Sequence, residues 1–65
     1  MKPITGVELG RLLESKGWTL QRISGSHQIY TKPGERKTLS VPVHGNSNLK
    51  PGLANRLARD ANLRW

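Results

Sequence analysis

The sequence predicts an α+β domain in the order α-β-β-β-α, a three-stranded antiparallel sheet with two helices on one of its faces. Three observations carry that prediction. A capping signal near the start of the chain leads into an apolar stripe at helical spacing. Three short alternating runs fill the middle, divided by a Gly-Ser pair and a Pro-Gly pair. A second helical stripe then opens on a proline. Residues 1–65 are read as a single domain.

The first helix is expected over residues 6–16. Thr5 suits the N-cap, and Glu8 three residues later completes a capping box. Ile4 before the cap and Leu9 after it have the spacing of a hydrophobic staple. Leu9, Leu12 and Leu13 form one apolar stripe. Lys16 suits the negative end of the helix dipole, and Gly17 supplies a left-handed stop. Trp18 to Ser24 is the first expected strand, with Trp18, Leu20 and Arg22 on one face and Thr19, Gln21 and Ile23 on the other. The change from Leu20 to Arg22 on a single face leaves the register near the next turn open.

Gly25-Ser26 reverses the chain, and His27 to Lys32, with Ile29, Tyr30 and Thr31 at its centre, is the second strand. Pro33-Gly34 fits a type II turn. Leu39, Val41 and Val43 then alternate with Thr38, Ser40 and Pro42 in a third strand. Pro42 has no N–H to donate, so this strand belongs at a sheet edge or turns Pro42 away from its neighbour. His44 to Asn48 has loop composition. Pro51 opens the second helix, whose buried stripe is Leu53, Ala54, Leu57, Ala58 and Ala61. Arg56, Arg59 and Arg64 fall outside that stripe, and Asn62 can take a left-handed cap.

A chain of 65 residues buries a small core. It has no cysteine, which removes disulfides and thiolate metal sites. No apolar run approaches the ~20 residues that cross a bilayer, and no signal-peptide pattern is present, so the cytoplasm is the expected compartment and no membrane partner is expected. Eleven Lys and Arg against four Asp and Glu give a net charge of +7, scattered singly along the chain. That pattern fits a folded surface that binds a polyanion, and nucleic acid is the common one.

From the residues alone His27 has two readings, a partly buried histidine hydrogen-bonded to backbone or a catalytic imidazole. At the first position of a strand leaving a tight turn, its backbone is fixed while its ring can stay wet. Ser26 beside it suggests a nucleophile and base, but strand neighbours point to opposite faces and no third orienting acid is evident. Metal, paired-carboxylate and phosphate-loop chemistries all lack their residue patterns. A histidine in a cationic, acid-poor setting suits RNA cleavage without a metal or other cofactor, because the ribose 2′-hydroxyl is the nucleophile and cations steady the phosphate. His44 is a candidate second acid or phosphate contact, or equally a loop histidine capping backbone. Lys50, beside the positive end of the second helix, is a candidate phosphate seat, or equally part of an ordinary helix start. Arg22, Lys32 and Ser26 complete the candidate RNA-binding set.

Gly25-Ser26-His27 followed by Ile29-Tyr30, then Val41-Pro42-Val43-His44-Gly45 and Leu49-Lys50-Pro51-Gly52, resemble the HicA-type toxins of prokaryotic toxin–antitoxin pairs. The resemblance covers nearly the whole chain. It implies a double-stranded-RNA-binding-domain-like fold, mRNA cleavage independent of the ribosome, a catalytic histidine at His27 and a HicB-type antitoxin protein as partner. The free toxin is expected to be monomeric. Two departures stand out: Gln28 replaces a second histidine present in many members, and Leu53-Ala54 replaces a common Thr-Leu pair. The alternative reading is a non-catalytic RNA-binding module on the same fold, reading shape rather than sequence.

Overall fold

The computed structural model describes residues 2–63. Helix α1 spans Gly6–Ser15 and is closed at both ends by its own sequence. At the start, the Glu8 N–H donates to Thr5 Oγ1 at 3.1 Å, and the Thr5 N–H donates to Glu8 Oε1 at 2.9 Å. At the end, the Trp18 N–H reaches the Leu13 carbonyl at 3.0 Å and the Gly17 N–H reaches Glu14 at 3.1 Å, with Gly17 at φ +95°. Those two bonds make a Schellman motif, which needs a residue tolerant of positive φ where Gly17 sits. The motif also drops Trp18 into the core beside Leu13.

Three strands follow: β1 Thr19–Ser24, β2 His27–Thr31 and β3 Leu39–Pro42, antiparallel and in the order β1-β2-β3. Trp18, expected to open the first strand, is spent on the helix stop instead. Gly25, at φ +60°, comes first in the two-residue turn between β1 and β2, as a II′ hairpin turn requires. Pro42 lies on β3, an edge strand, where a missing N–H costs no ladder bond on the open side.

One expectation about β1 is corrected. Leu20 pairs with Tyr30, but Arg22 pairs with Ile29, so a β-bulge stands between Leu20 and Arg22. Past the bulge the two faces exchange. Arg22 turns to the face of Ile29, away from the helices, and Ile23 turns to the face of Gln28. The extra residue keeps the Arg22 cation out of the core, where an unpaired charge is costly. Ile23 remains 61 % exposed on the edge strand beside the turn.

Helix α2 spans Pro51–Ala61. It turns Ala54, Leu57, Ala58 and Ala61 onto Leu9, Leu13, Tyr30, Leu39 and Val41, so both helices cover the same sheet face. Leu12 and Leu53 pack only at the margin of this cluster. Asn62, at φ +56°, ends α2, and the Leu63 N–H returns to the Ala58 carbonyl at 2.8 Å. Arg64, expected on the exterior, lies outside the described residues. Two close approaches set how α1 sits. A Cβ at Gly10 would overlap the Tyr30 hydroxyl, and one at Gly6 would overlap the Pro42 carbonyl. The chain before α1 is tied to the segment before α2 by a bridge between Thr5 and Asn48 and by the Leu49 N–H on the Ile4 carbonyl at 2.8 Å. No helix among the described residues is long and apolar enough to cross a membrane.

Candidate functional site

His27 is the first residue of the central strand, held between Ser24 on β1 and Pro42 on β3. Tyr30, paired with Leu20 and Leu39, faces the helices. By the two-residue alternation of a strand, His27 and Ile29 therefore face away from them. The imidazole is exposed on this open face. Strands on both sides restrain its backbone, while the ring stays in reach of solvent and of a large substrate. Arg22 lies in the adjoining row of the same face, opposite Ile29, because the bulge turned it there.

Pro42 joins this row to a second feature. With His44, Ser47, Asn48, Lys50 and Leu53 it lines a cavity of about 310 Å³ at the start of α2. The Ser47 N–H on the His44 carbonyl at 3.0 Å closes the loop that presents His44. Lys50 is the N-cap of α2 and makes no side-chain capping bond, with Pro51 behind it. The first N–H groups of the helix and the Lys50 ammonium thus favour negative charge at one wall. Ser26 holds the assembly together through its backbone, since its carbonyl accepts the Val43 N–H at 2.7 Å and clamps the end of β3 to the hairpin turn.

The fold therefore brings His27, Ser26, Arg22, His44 and Lys50 to one end of the sheet. Lys32 is set apart, five residues from His27 along an extended strand, roughly 16 Å away. Its half-buried side chain lies against Gly17, near the negative end of the α1 dipole. Gln28, the departure from the family pattern, belongs to the helix side. Its Oε1 accepts the Tyr30 hydroxyl at 2.9 Å, so it props Tyr30 and does not adjoin the His27 ring face. Strand alternation already separates positions 27 and 28; the Tyr30 bond was not legible without the packing.

Two of the four acids are engaged elsewhere. Hydrogen bonds from Thr5, its backbone first and then its side chain, hold the Glu8 carboxyl below its ordinary value. Asp60 pairs with Lys37 at 3.1 Å on the surface, a contact of small energetic weight. Burial, and then the charge of Glu14, push the Tyr30 hydroxyl above its ordinary value and keep it a donor. Among the described residues no three His, Asp or Glu side chains gather to hold a metal. The arrangement can present one imidazole to a phosphodiester and surround that phosphodiester with cations.

The sequence model of the family described as HicA toxin of bacterial toxin–antitoxin matches residues 6–63, which takes in all five elements. No curated protein matches the chain.

Proposed function

The chain belongs to the HicA toxin family, the toxin half of a pair completed by a cognate antitoxin, and from that premise we propose that it is an endoribonuclease cleaving mRNA without a metal, with His27 as acid–base catalyst. The observation that carries this reading is the exposed imidazole at the first residue of the central strand, fixed by pairing on both sides. In this mechanism His27 accepts the proton of the ribose 2′-hydroxyl. The 2′-oxygen attacks the adjacent phosphorus, the bond to the 5′-oxygen breaks, and that oxygen takes up a proton as it leaves. His44 is positioned beside the neighbouring cavity to supply that proton or to bind phosphate. Lys50 and Arg22 stabilise the charge gathering on the phosphoryl oxygens.

A net charge of +7 draws RNA toward the site and makes copies of the free chain repel, so the free toxin is read as a monomer. In this reading the exposed His27 and Arg22, in a chain of net charge +7, give an acidic surface on a HicB-type antitoxin a place to dock.

The test is cleavage of a defined RNA by His27→Gln, which keeps a polar side chain and removes the titrating ring. The rate should fall roughly 10²–10⁴-fold, with RNA affinity little changed because phosphate contacts are made by other residues. A 2′-deoxy linkage at the cut position should bind and resist cleavage. Unchanged turnover in His27→Gln would remove His27 as the catalyst, a parent protein that binds RNA without cutting it would leave only an RNA-binding module, and normal cutting of the deoxy linkage would remove the ribose hydroxyl as nucleophile.

A further inference from the structure

On the far side of the Asn48–Pro51 segment lies a larger cleft, of about 450 Å³, between the residues before α1 and the start of α2. We propose that this cleft is a nucleobase subsite for the RNA strand, in which the carboxamides of Asn48 and Asn55 read the edge of one base. The proposal rests on the reading of the chain as an RNA-cleaving toxin and adds where sequence preference would arise.

Four features argue for a base. The first is size and shape: the volume falls within the roughly 300–1,000 Å³ range of small-ligand pockets. The walls are held in place by the Thr5–Asn48 bridge and the Leu49–Ile4 hydrogen bond, which fix the N-terminal segment against the α2 entry. The second is chemistry. Pro3, Ile4, Leu49 and Pro51 supply apolar walls, and Asn48 and Asn55 supply the amides. Each amide carries both donors and acceptors, the combination that matches the edge of a base, with adenine the best match for a two-point contact. Single-stranded RNA is read in this way, with an unstacked base packed against side chains and its edge hydrogen-bonded.

The third feature is charge. Among the described residues Lys2 is the only charged one lining the cleft and no acid lines it, while the whole chain carries +7. An aliphatic anchor from a protein partner would fill the walls but desolvate both amides without replacing their hydrogen bonds, which is unfavourable. The fourth is continuity. Asn48 and Leu49 line both this cleft and the cavity that holds His44 and Lys50, and Pro42 connects that cavity to His27. A strand with its scissile phosphate at His27 and the next phosphate near Lys50 would bring a flanking base to the cleft.

The experiment uses the full chain as His27→Gln, so that RNA stays intact, with side-chain amide resonances followed by NMR. Adenosine monophosphate and a short single-stranded RNA should shift the NH₂ signals of Asn48 and Asn55, whereas ribose 5-phosphate should not. In the parent protein, cleavage-site mapping on a randomised RNA should show a base preference at one position flanking the cut. Asn55→Asp, close to isosteric, and Asn48→Ala should each weaken that preference by about 5- to 100-fold, with melting temperatures unchanged because both residues are exposed. Shifts confined to His44 and Lys50, or an identical preference in both variants, overturn the subsite while leaving the nuclease intact. Base-dependent amide shifts in a protein whose parent cuts no RNA would uphold the subsite and remove the nuclease. Amide shifts produced by the antitoxin but not by RNA would make the cleft a protein-docking surface and overturn the proposal.

Discussion

Gly10→Ala tests how α1 is seated on the sheet. In an isolated helix this change stabilises by about 0.8–1.0 kcal/mol. Here the new Cβ would overlap the Tyr30 hydroxyl and lie 3.2 Å from its Cζ. Tyr30 is 3 % exposed, so its ring has no open space into which to move. Overpacking of this kind costs about 1–3 kcal/mol. Displacing the hydroxyl also disrupts its 2.9 Å bond to Gln28, a further loss of about 1 kcal/mol. Set against the propensity gain, the net destabilisation is about 1–3 kcal/mol, a fall in Tm of roughly 5–20 °C for a domain this small. Tyr30→Phe removes the oxygen that the Cβ would meet, and alone should cost about 0.5–1.5 kcal/mol. In that background Gly10→Ala should turn neutral or stabilising, so urea unfolding of the four proteins by circular dichroism should give a coupling of about 1–3 kcal/mol. A Gly10→Ala protein about 1 kcal/mol more stable than its parent, or a coupling near zero, would refute the close approach.

Leu13 is fully buried, so Leu13→Ala should cost about 2–5 kcal/mol, and Leu12→Ala, at the margin of the cluster, distinctly less; equal losses in urea titrations would contradict this arrangement of the stripe. The depressed Glu8 carboxyl should add stability that is complete above its ordinary value of 4.5 and is lost as pH falls through the lower folded value. Glu8→Gln should flatten that part of the acid limb of Tm against pH, and an unaltered limb would deny the capping box its role. RNA affinity should fall with salt at a log–log slope of roughly −3 to −4 if about four phosphates are neutralised, and a flat dependence would exclude counterion release as the driving force.

Much of the fold was legible because its signals act over a few residues. The Thr5–Glu8 box, the Gly17 and Asn62 stops, the Gly25 turn and the edge placement of Pro42 each depend on local hydrogen bonds or on a single φ. His27 at the head of a strand was legible for the same reason. Arg22 was not. Its face depends on a bulge, and a bulge answers to the whole apolar pattern of the partner strand and the helices above it. Lys32 looked like an RNA contact by charge alone, yet five extended residues carry it to the other end of the sheet.

The sequence by itself determined where each helix begins and ends, where the chain turns, and that a histidine heads a strand in a cationic chain. Tertiary structure alone decided that Gly10 must lack a side chain beneath Tyr30, that Gln28 serves the core, and that Pro42 carries His44 and Lys50 to the His27 end. Caps and turns are settled between residues three to five apart, where the chain has few conformations to choose among. Contacts between α1, β2 and the α2 entry join residues distant in sequence, and only the closing of the common core sets their register and spacing.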